Sequence, residues 1–442
     1  MSILALQTPA TAASDVSSGS KAATSGNTTI SAPVAKDRPS DFQTLKAPSA
    51  TAGQSNCDEI KRGLAAMRKA GQRGAVCFKW GKPEASTGRK GLTSASATTA
   101  VWCDVMPNNQ VYVTRQSICS QRDLIIILMD TTTGVILGNA YGIVQQEIDP
   151  SNSSTEFTEY MNFHLSSADI TSDVMTVQVD SECSFGASWC KADKQPWGTP
   201  RPITVGQSID GTWTRSWTNT TKNAEFMTTY ELTVNIGGTA GSTSWGDDNE
   251  PGDGQYLVRC DNEIGTYAGC VVENYIPTFV IDTKYNLARQ FIGMAQASMS
   301  SHPGWEGHGQ PLRREANAAT EQKNRGIICD RTFTADPSTP KPAQCDEYPF
   351  AKSKNSGAQQ GVTSGSQCQQ YMVVSQTIEG KQYLSLTWPG YNQGKMPPAT
   401  AKCARASMTK ADNEGVGGDL GRAAVKFRLI NNDPYWVDAG NK

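Results

Sequence analysis

A chain of 442 residues is too long for one compact core, so two or three domains are expected. No stretch is long and apolar enough to cross a bilayer as a helix, and twelve cysteines with no CxxC pair and only three histidines argue against zinc and for disulfides. The formal charge of −2 hides an asymmetry: from Asp282 onward there are 19 Lys and Arg against 14 Asp and Glu, which points to an anionic partner for the C-terminal part.

Disulfides on this scale imply an oxidising compartment and an exported protein. Met1 to Leu6 is a short apolar run without a basic flank, followed by Ala10-Thr11-Ala12 in cleavage-site style, and reads as a signal peptide shortened at its start. The rest of residues 1–56 is rich in Ser, Ala, Thr, Gly and Pro; too apolar-poor to offset its ordering entropy, it is expected to be a flexible leader. Cys57 to Lys69 carries Ile60, Leu64 and Met67 at helical spacing and ends toward Gly71 and Gly74, with Cys57 and Cys77 placed to staple it.

Residues 57–275 then turn strand-like. Val111–Val113, Leu124–Leu128, Val135–Ile148, Phe157–Leu165, Val174–Val179, Tyr230–Ile236 and Tyr256–Arg259 are β-branched or aromatic runs separated by turn residues, a pattern that fits an antiparallel sandwich. Cys183 with Cys190 and Cys260 with Cys270 are close enough to close short loops, although sequence does not fix connectivity. Trp213, Trp217 and Trp245 fit either a core or a glycan- or wall-binding platform. Asp247-Asp248-Asn249-Glu250 with Asp253 fits either a solvated loop or a calcium cradle. Asn152 and Asn219 head glycosylation-type triplets, and His164 is a lone strand histidine with a structural default.

Residues 276–442 change again. The strand Thr278–Ile281 leads into a helix expected over Asn286–Met299, a glycine- and proline-rich loop follows, and a second helix is expected over Glu315–Asn324. The block Cys345-Asp346-Glu347-Tyr348-Pro349-Phe350-Ala351 sets two acids on a strand end or loop; a solvated acidic turn and a reactive site both fit it. Asp412-Asn413 reads as a helix N-cap, and Gly415, Gly417, Gly418 and Gly421 as turn glycines or as a bare backbone that lets a phosphate approach the helix start.

In this order, the strand–helix opening, Pro311-Leu312-Arg313-Arg314, Asn324-Arg325 with Cys329, the Cys345–Ala351 block, Asp412-Asn413 and Asp433-Pro434-Tyr435-Trp436-Val437 resemble the secreted NucA/NucB deoxyribonuclease family over roughly residues 278–440. The resemblance implies a small, disulfide-rich α+β nuclease domain after the β-sandwich, with a site similar to that of ββα-metal nucleases. It implies Asp346 as general base, with Glu347 in a supporting place because successive strand side chains point to opposite faces. It further implies Asn413 as a ligand to Mg²⁺ or Mn²⁺, and Arg314 and Arg325 as contacts to the DNA backbone, where surface ion pairs are the alternative. Arg422 stands where the family can carry a second helix amide; that departure puts a second protein ligand in doubt and offers a phosphate contact instead. Cys329 with Cys345 and Cys368 with Cys403 are the pairings expected within the domain. The whole reads as a secreted, monomeric, sequence-nonspecific DNA endonuclease, open to an inhibitor or immunity partner. The alternative is a secreted glycan- or cell-wall-binding sandwich with a noncatalytic nuclease-like domain.

Overall fold

The structure is a computed structural model that describes residues 41–45, 56–81, 102–170, 175–183, 190–192, 197–246 and 257–441. Most of the expected leader and the whole acidic stretch Asp247–Asp253 lie outside the described residues. The described chain is mostly β-strand in antiparallel sheets, with four α-helices and six disulfides. No helix among the described residues is long and apolar enough to cross a membrane.

Helix α1 spans Cys57–Lys69 as its periodicity dictates, and the Cys57–Cys77 disulfide ties it to the strand Gly74–Trp80. That strand runs through a position expected to mark only the end of a helix. Its alternating partners explain why: it pairs antiparallel with Ser117–Asp130, burying Val76 and Phe78. Each strand expected in this region has a counterpart: Val111–Val113, Leu124–Leu128, Phe157–Leu165 and Tyr230–Ile236 are extended by two or more residues, and Val135–Ile148 is shifted by one to Ile136–Asp149. Of Val174–Val179 and Tyr256–Arg259, whose first residues lie outside the described ones, the strands are Met175–Cys183 and Val258–Asp261.

Two of the sheets share one core. The larger runs Gln43–Leu45, Gln110–Thr114, Ser117–Asp130, Ile136–Asp149, Glu156–Ala168, Ser208–Trp217 and Cys190–Ala192, with Gly74–Trp80 on the third of these. The smaller runs Thr239–Trp245, Thr228–Ile236, Met175–Cys183 and Arg201–Ile203. Phe78, Ile126, Phe163 and Trp213 from the first sheet pack with Val177, Leu232, Val234 and Trp245 from the second. Trp213, Trp217 and Trp245 are therefore core residues, at most 6% exposed, and form no surface platform. His164 bonds Ser208 across neighbouring strands at 3.0 Å, a structural role.

From Thr278 the chain builds a second core. Thr278–Val280 pairs in parallel with the terminal strand Pro434–Asp438, so the two ends of this segment are adjacent. A four-stranded sheet follows the order Ala343–Tyr348, Ala404–Thr409, Gln369–Ile378, Lys381–Thr387. Helices α2 (Asn286–Ser298) and α4 (Lys410–Lys426) cover one face of it, where Phe291, Ile292 and Leu420 pack with Tyr348, Tyr371, Ala406 and Met408. Helix α3 covers Ala318–Ile328, starting and ending later than expected. Asn317 caps it by accepting from the Thr320 N–H, and Gly326 is absorbed into its last turn.

The β-rich part and this C-terminal part meet over a buried charge network. Arg428, left-handed just after α4, donates to both carboxylate oxygens of Asp261 at 3.1 and 2.5 Å and to the carbonyls of Asn152 and Tyr267. Arg259 reaches Asp433 at 2.7 Å, and Arg115 donates to the Phe427 carbonyl at 2.7 Å. All three guanidinium groups are nearly fully buried, so each needs these partners to offset desolvation.

Candidate active site

The strand Ala343–Tyr348 lies at the edge of its sheet and, among the described residues, pairs only with Ala404–Thr409. Its register separates the two acids. Asp346 stands opposite Ala406 and Gln344 opposite Met408, both core-facing partners, so Asp346 and Gln344 share the face covered by α4. Glu347 stands opposite Arg405 on the other face, toward the Cys329–Cys345 disulfide. There Glu347 accepts from Arg325 Nε at 3.4 Å, and its Oε2 lies 3.4 Å from Cys329 Sγ.

Helix α4 begins directly after Ala404–Thr409. Thr409 is its N-cap, accepting from the Asp412 N–H at 3.0 Å and donating to Asp412 Oδ2 at 2.8 Å. The cap is thus three residues earlier than the Asp412-Asn413 reading, and Gly415, Gly417, Gly418 and Gly421 are interior helical residues. Their N–H groups are spent inside the helix and are not offered to an anion, which corrects the expected phosphate approach. Packing outweighs the poor helix propensity of glycine here: Val416, Leu420 and Ala424 form a buried stripe. Gly415 lets Tyr285 lie on the helix, since a Cβ there would fall 2.2 Å from the ring; Gly417 faces open space beside the acids.

Between the edge strand, α3 and α4 lies a cleft of about 450 Å³. Asp346, Glu347, Asn413 and Arg325 all line it, together with Gln344, Lys352, Glu321 and Glu414. Asp346 is 7% exposed; its Oδ1 accepts the Glu347 N–H at 3.0 Å, and its Oδ2 takes no hydrogen bond from a described residue. Burial, and then the neighbouring Glu347 charge, hold its pKa well above the usual carboxylate range. Burial also raises Glu347, opposed by Arg325. Asn413 donates its amide N–H groups to Gln344 Oε1 at 2.9 Å and the Cys345 carbonyl at 3.4 Å, which leaves its Oδ1 without a donor among the described residues. At the rim Arg325 also pairs with Glu321, and Lys352 lies 3.8 Å from Glu321.

Two expected contacts are elsewhere. Arg314 turns inward, donating to the Leu429 carbonyl while its backbone pairs with Asn432 and Asp433. Arg422 is exposed and paired with Asp419. It lies nine residues beyond Asn413, and at about 100° per residue that is half a turn away, on the opposite side of α4. Lys352 and Gln344 belong to no motif in the sequence reading. Gln344 had a signal, two residues before Asp346 on a strand; Lys352 had none, because only the chain reversal after Tyr348 brings it to the rim.

No three or more His, Cys, Asp or Glu side chains cluster as a metal site among the described residues. The donor set in the cleft fits one kind of ion nonetheless: a single free amide oxygen beside a carboxylate suits a hard divalent cation that keeps most of its waters. No protein-family model and no curated protein matches the chain.

Proposed function

We propose that the C-terminal part is a metal-dependent, sequence-nonspecific DNA endonuclease of NucA/NucB type, carried by a secreted protein whose two core-sharing sheets form a separate β-sandwich domain. The observation that carries the reading is the convergence, in one cleft, of a buried strand carboxylate with a free oxygen and a helix amide with a free oxygen, with Arg325 and Lys352 at the rim. This is the strand-then-helix placement that a ββα-metal site requires.

In this reading Asp346 Oδ2 takes the proton of the attacking water, and its raised pKa makes it a stronger base than an exposed aspartate. Glu347 supports that basicity through its charge and anchors Arg325. Arg325 and Lys352 offset the charge of the DNA backbone and of the phosphate as the water oxygen adds and the P–O3′ bond breaks, the leaving 3′-oxygen taking its proton from solvent. Asn413 Oδ1 would hold Mg²⁺ or Mn²⁺, which supplies Lewis-acid polarisation of the phosphate when bound. The rival reading, a glycan- or wall-binding protein, loses its tryptophan platform because all three indoles are buried.

The test is plasmid DNA incubated with the oxidised full chain. Nicking and linearisation are expected with Mg²⁺ or Mn²⁺ and are abolished by a chelator; intact plasmid under both metals refutes the nuclease.

A further inference from the structure

Resting on that reading of Asn413, we infer that Gln344 and Glu414 form a relay that sets which end of the Asn413 amide faces the cleft. An amide has a donor end and an acceptor end of nearly the same shape, so an isolated Asn presents either one. Here the choice is forced from outside. The Glu414 carboxylate accepts, and Gln344 Nε2 donates to its Oε1 at 3.0 Å. Gln344 must then turn its own oxygen the other way, where it accepts from Asn413 Nδ2 at 2.9 Å. The Cys345 carbonyl, also acceptor-only, takes a second N–H of that amide at 3.4 Å. Both acceptors demand nitrogen from Asn413, so its oxygen is left for the cleft. Lys410 Nζ lies 3.8 Å from the same Glu414 oxygen at the head of the relay.

The placement is a consequence of the strand. Gln344 shares a face with Asp346 because it lies two positions before it on the strand, so one β-strand carries both the base and the residue that orients the ligand. Gln344 is a positioning residue: it touches neither water nor phosphate in this scheme. Flipping the Asn413 amide would point two N–H groups at a cation, which is repulsive. The structure therefore assigns to Gln344 the task of excluding that state.

Direct Mn²⁺ binding to the full oxidised chain, measured by electron paramagnetic resonance without DNA, reads the relay independently of catalysis. Asn413→Ala is the reference for loss of the ligand. Gln344→Met keeps the shape and removes the hydrogen bonds, and is expected to weaken Mn²⁺ binding about 10-fold, as is usual for loss of a partner that orients a metal ligand. Gln344→Glu keeps an acceptor for Asn413 and is expected to bind more tightly than Gln344→Met. Glu414→Ala, on an exposed side chain that leaves the strand untouched, is expected to weaken binding less than Asn413→Ala does. If Gln344→Met binds Mn²⁺ as the parent does while Asn413→Ala does not, the relay is wrong and the Asn413 site survives. A loss in Glu414→Ala exceeding that in Asn413→Ala makes Glu414 a ligand and also overturns the relay. If Asn413→Ala itself binds normally, or the parent chain binds no Mn²⁺, the metal reading of the cleft falls with it.

Discussion

Asp346→Asn separates a catalytic carboxylate from a structural one, because the two roles predict opposite signs for stability. In the folded chain the Asp346 carboxylate is buried with one hydrogen bond, from the Glu347 N–H at 3.0 Å, and a like charge next to it. Its pKa is raised in the folded state above an unfolded value near ~3.9. The protonated form is thus favoured by folding, and stability falls as pH rises from the unfolded pKa through the folded one. Each unit of that displacement costs about 1.4 kcal/mol once the pH exceeds the folded pKa. An asparagine keeps the oxygen that accepts the Glu347 N–H and carries no charge, so the variant should be more stable than the parent at pH 8. The difference should shrink toward about pH 4, where the parent carboxylate is protonated in the folded state and about half protonated in the unfolded one. Activity should move the other way: removal of a general base costs about 10²–10⁴-fold in kcat. The assay is thermal unfolding of both proteins from pH 4 to 8 in chelator, with plasmid cleavage in Mg²⁺ alongside. A variant that is less stable at pH 8 and cleaves at the parental rate would falsify both the electrostatic and the catalytic argument.

Three other outcomes follow from packing and topology. The Cys329–Cys345 disulfide closes 16 residues around the strand that carries both acids, so the Cys329→Ser/Cys345→Ser variant should lose about 3 kcal/mol and also lose cleavage at temperatures where it remains folded; full activity of the folded variant would show that the strand needs no tether. Gly415→Ala should destabilise by about 1–3 kcal/mol through the clash with Tyr285, whereas Gly417→Ala, with no atom within 4 Å of its Cβ, should stabilise by roughly 1 kcal/mol; equal melting shifts would contradict the helix orientation. Arg428→Ala leaves Asp261 buried without its main partner and should cost about 3–5 kcal/mol in urea denaturation, and a loss under 1 kcal/mol would mean the network does not hold the β-rich and C-terminal parts together.

How far the site was legible differs residue by residue. Alternation on a strand separates Asp346 from Glu347 with no tertiary information, while the choice of Asp346 as the base comes from the resemblance to the nuclease family. Gln344 was available to the same logic. Arg422 was drawn from motif position alone, and the helical period, counted from Asn413, already placed it on the far side once α4 was known to run unbroken through its glycines.

Local rules thus determined α1 and α2, every strand expected between Val111 and Arg259, and the apolar spacing that marks them, since these depend on side-chain period over a few residues. They did not determine which tryptophans are buried, where α3 and α4 begin and end, or that Arg314 spends its charge on a carbonyl. Those depend on partners far along the chain: Thr243 opposite Trp80, Tyr285 against Gly415, Leu429 beneath Arg314. The acids themselves show the division most clearly. Sequence puts Asp346 and Glu347 side by side, and only the edge pairing with Ala404–Thr409, together with the helix that follows it, sets Asp346 on the α4 side of the shared cleft and Glu347 on the side of the disulfide and Arg325.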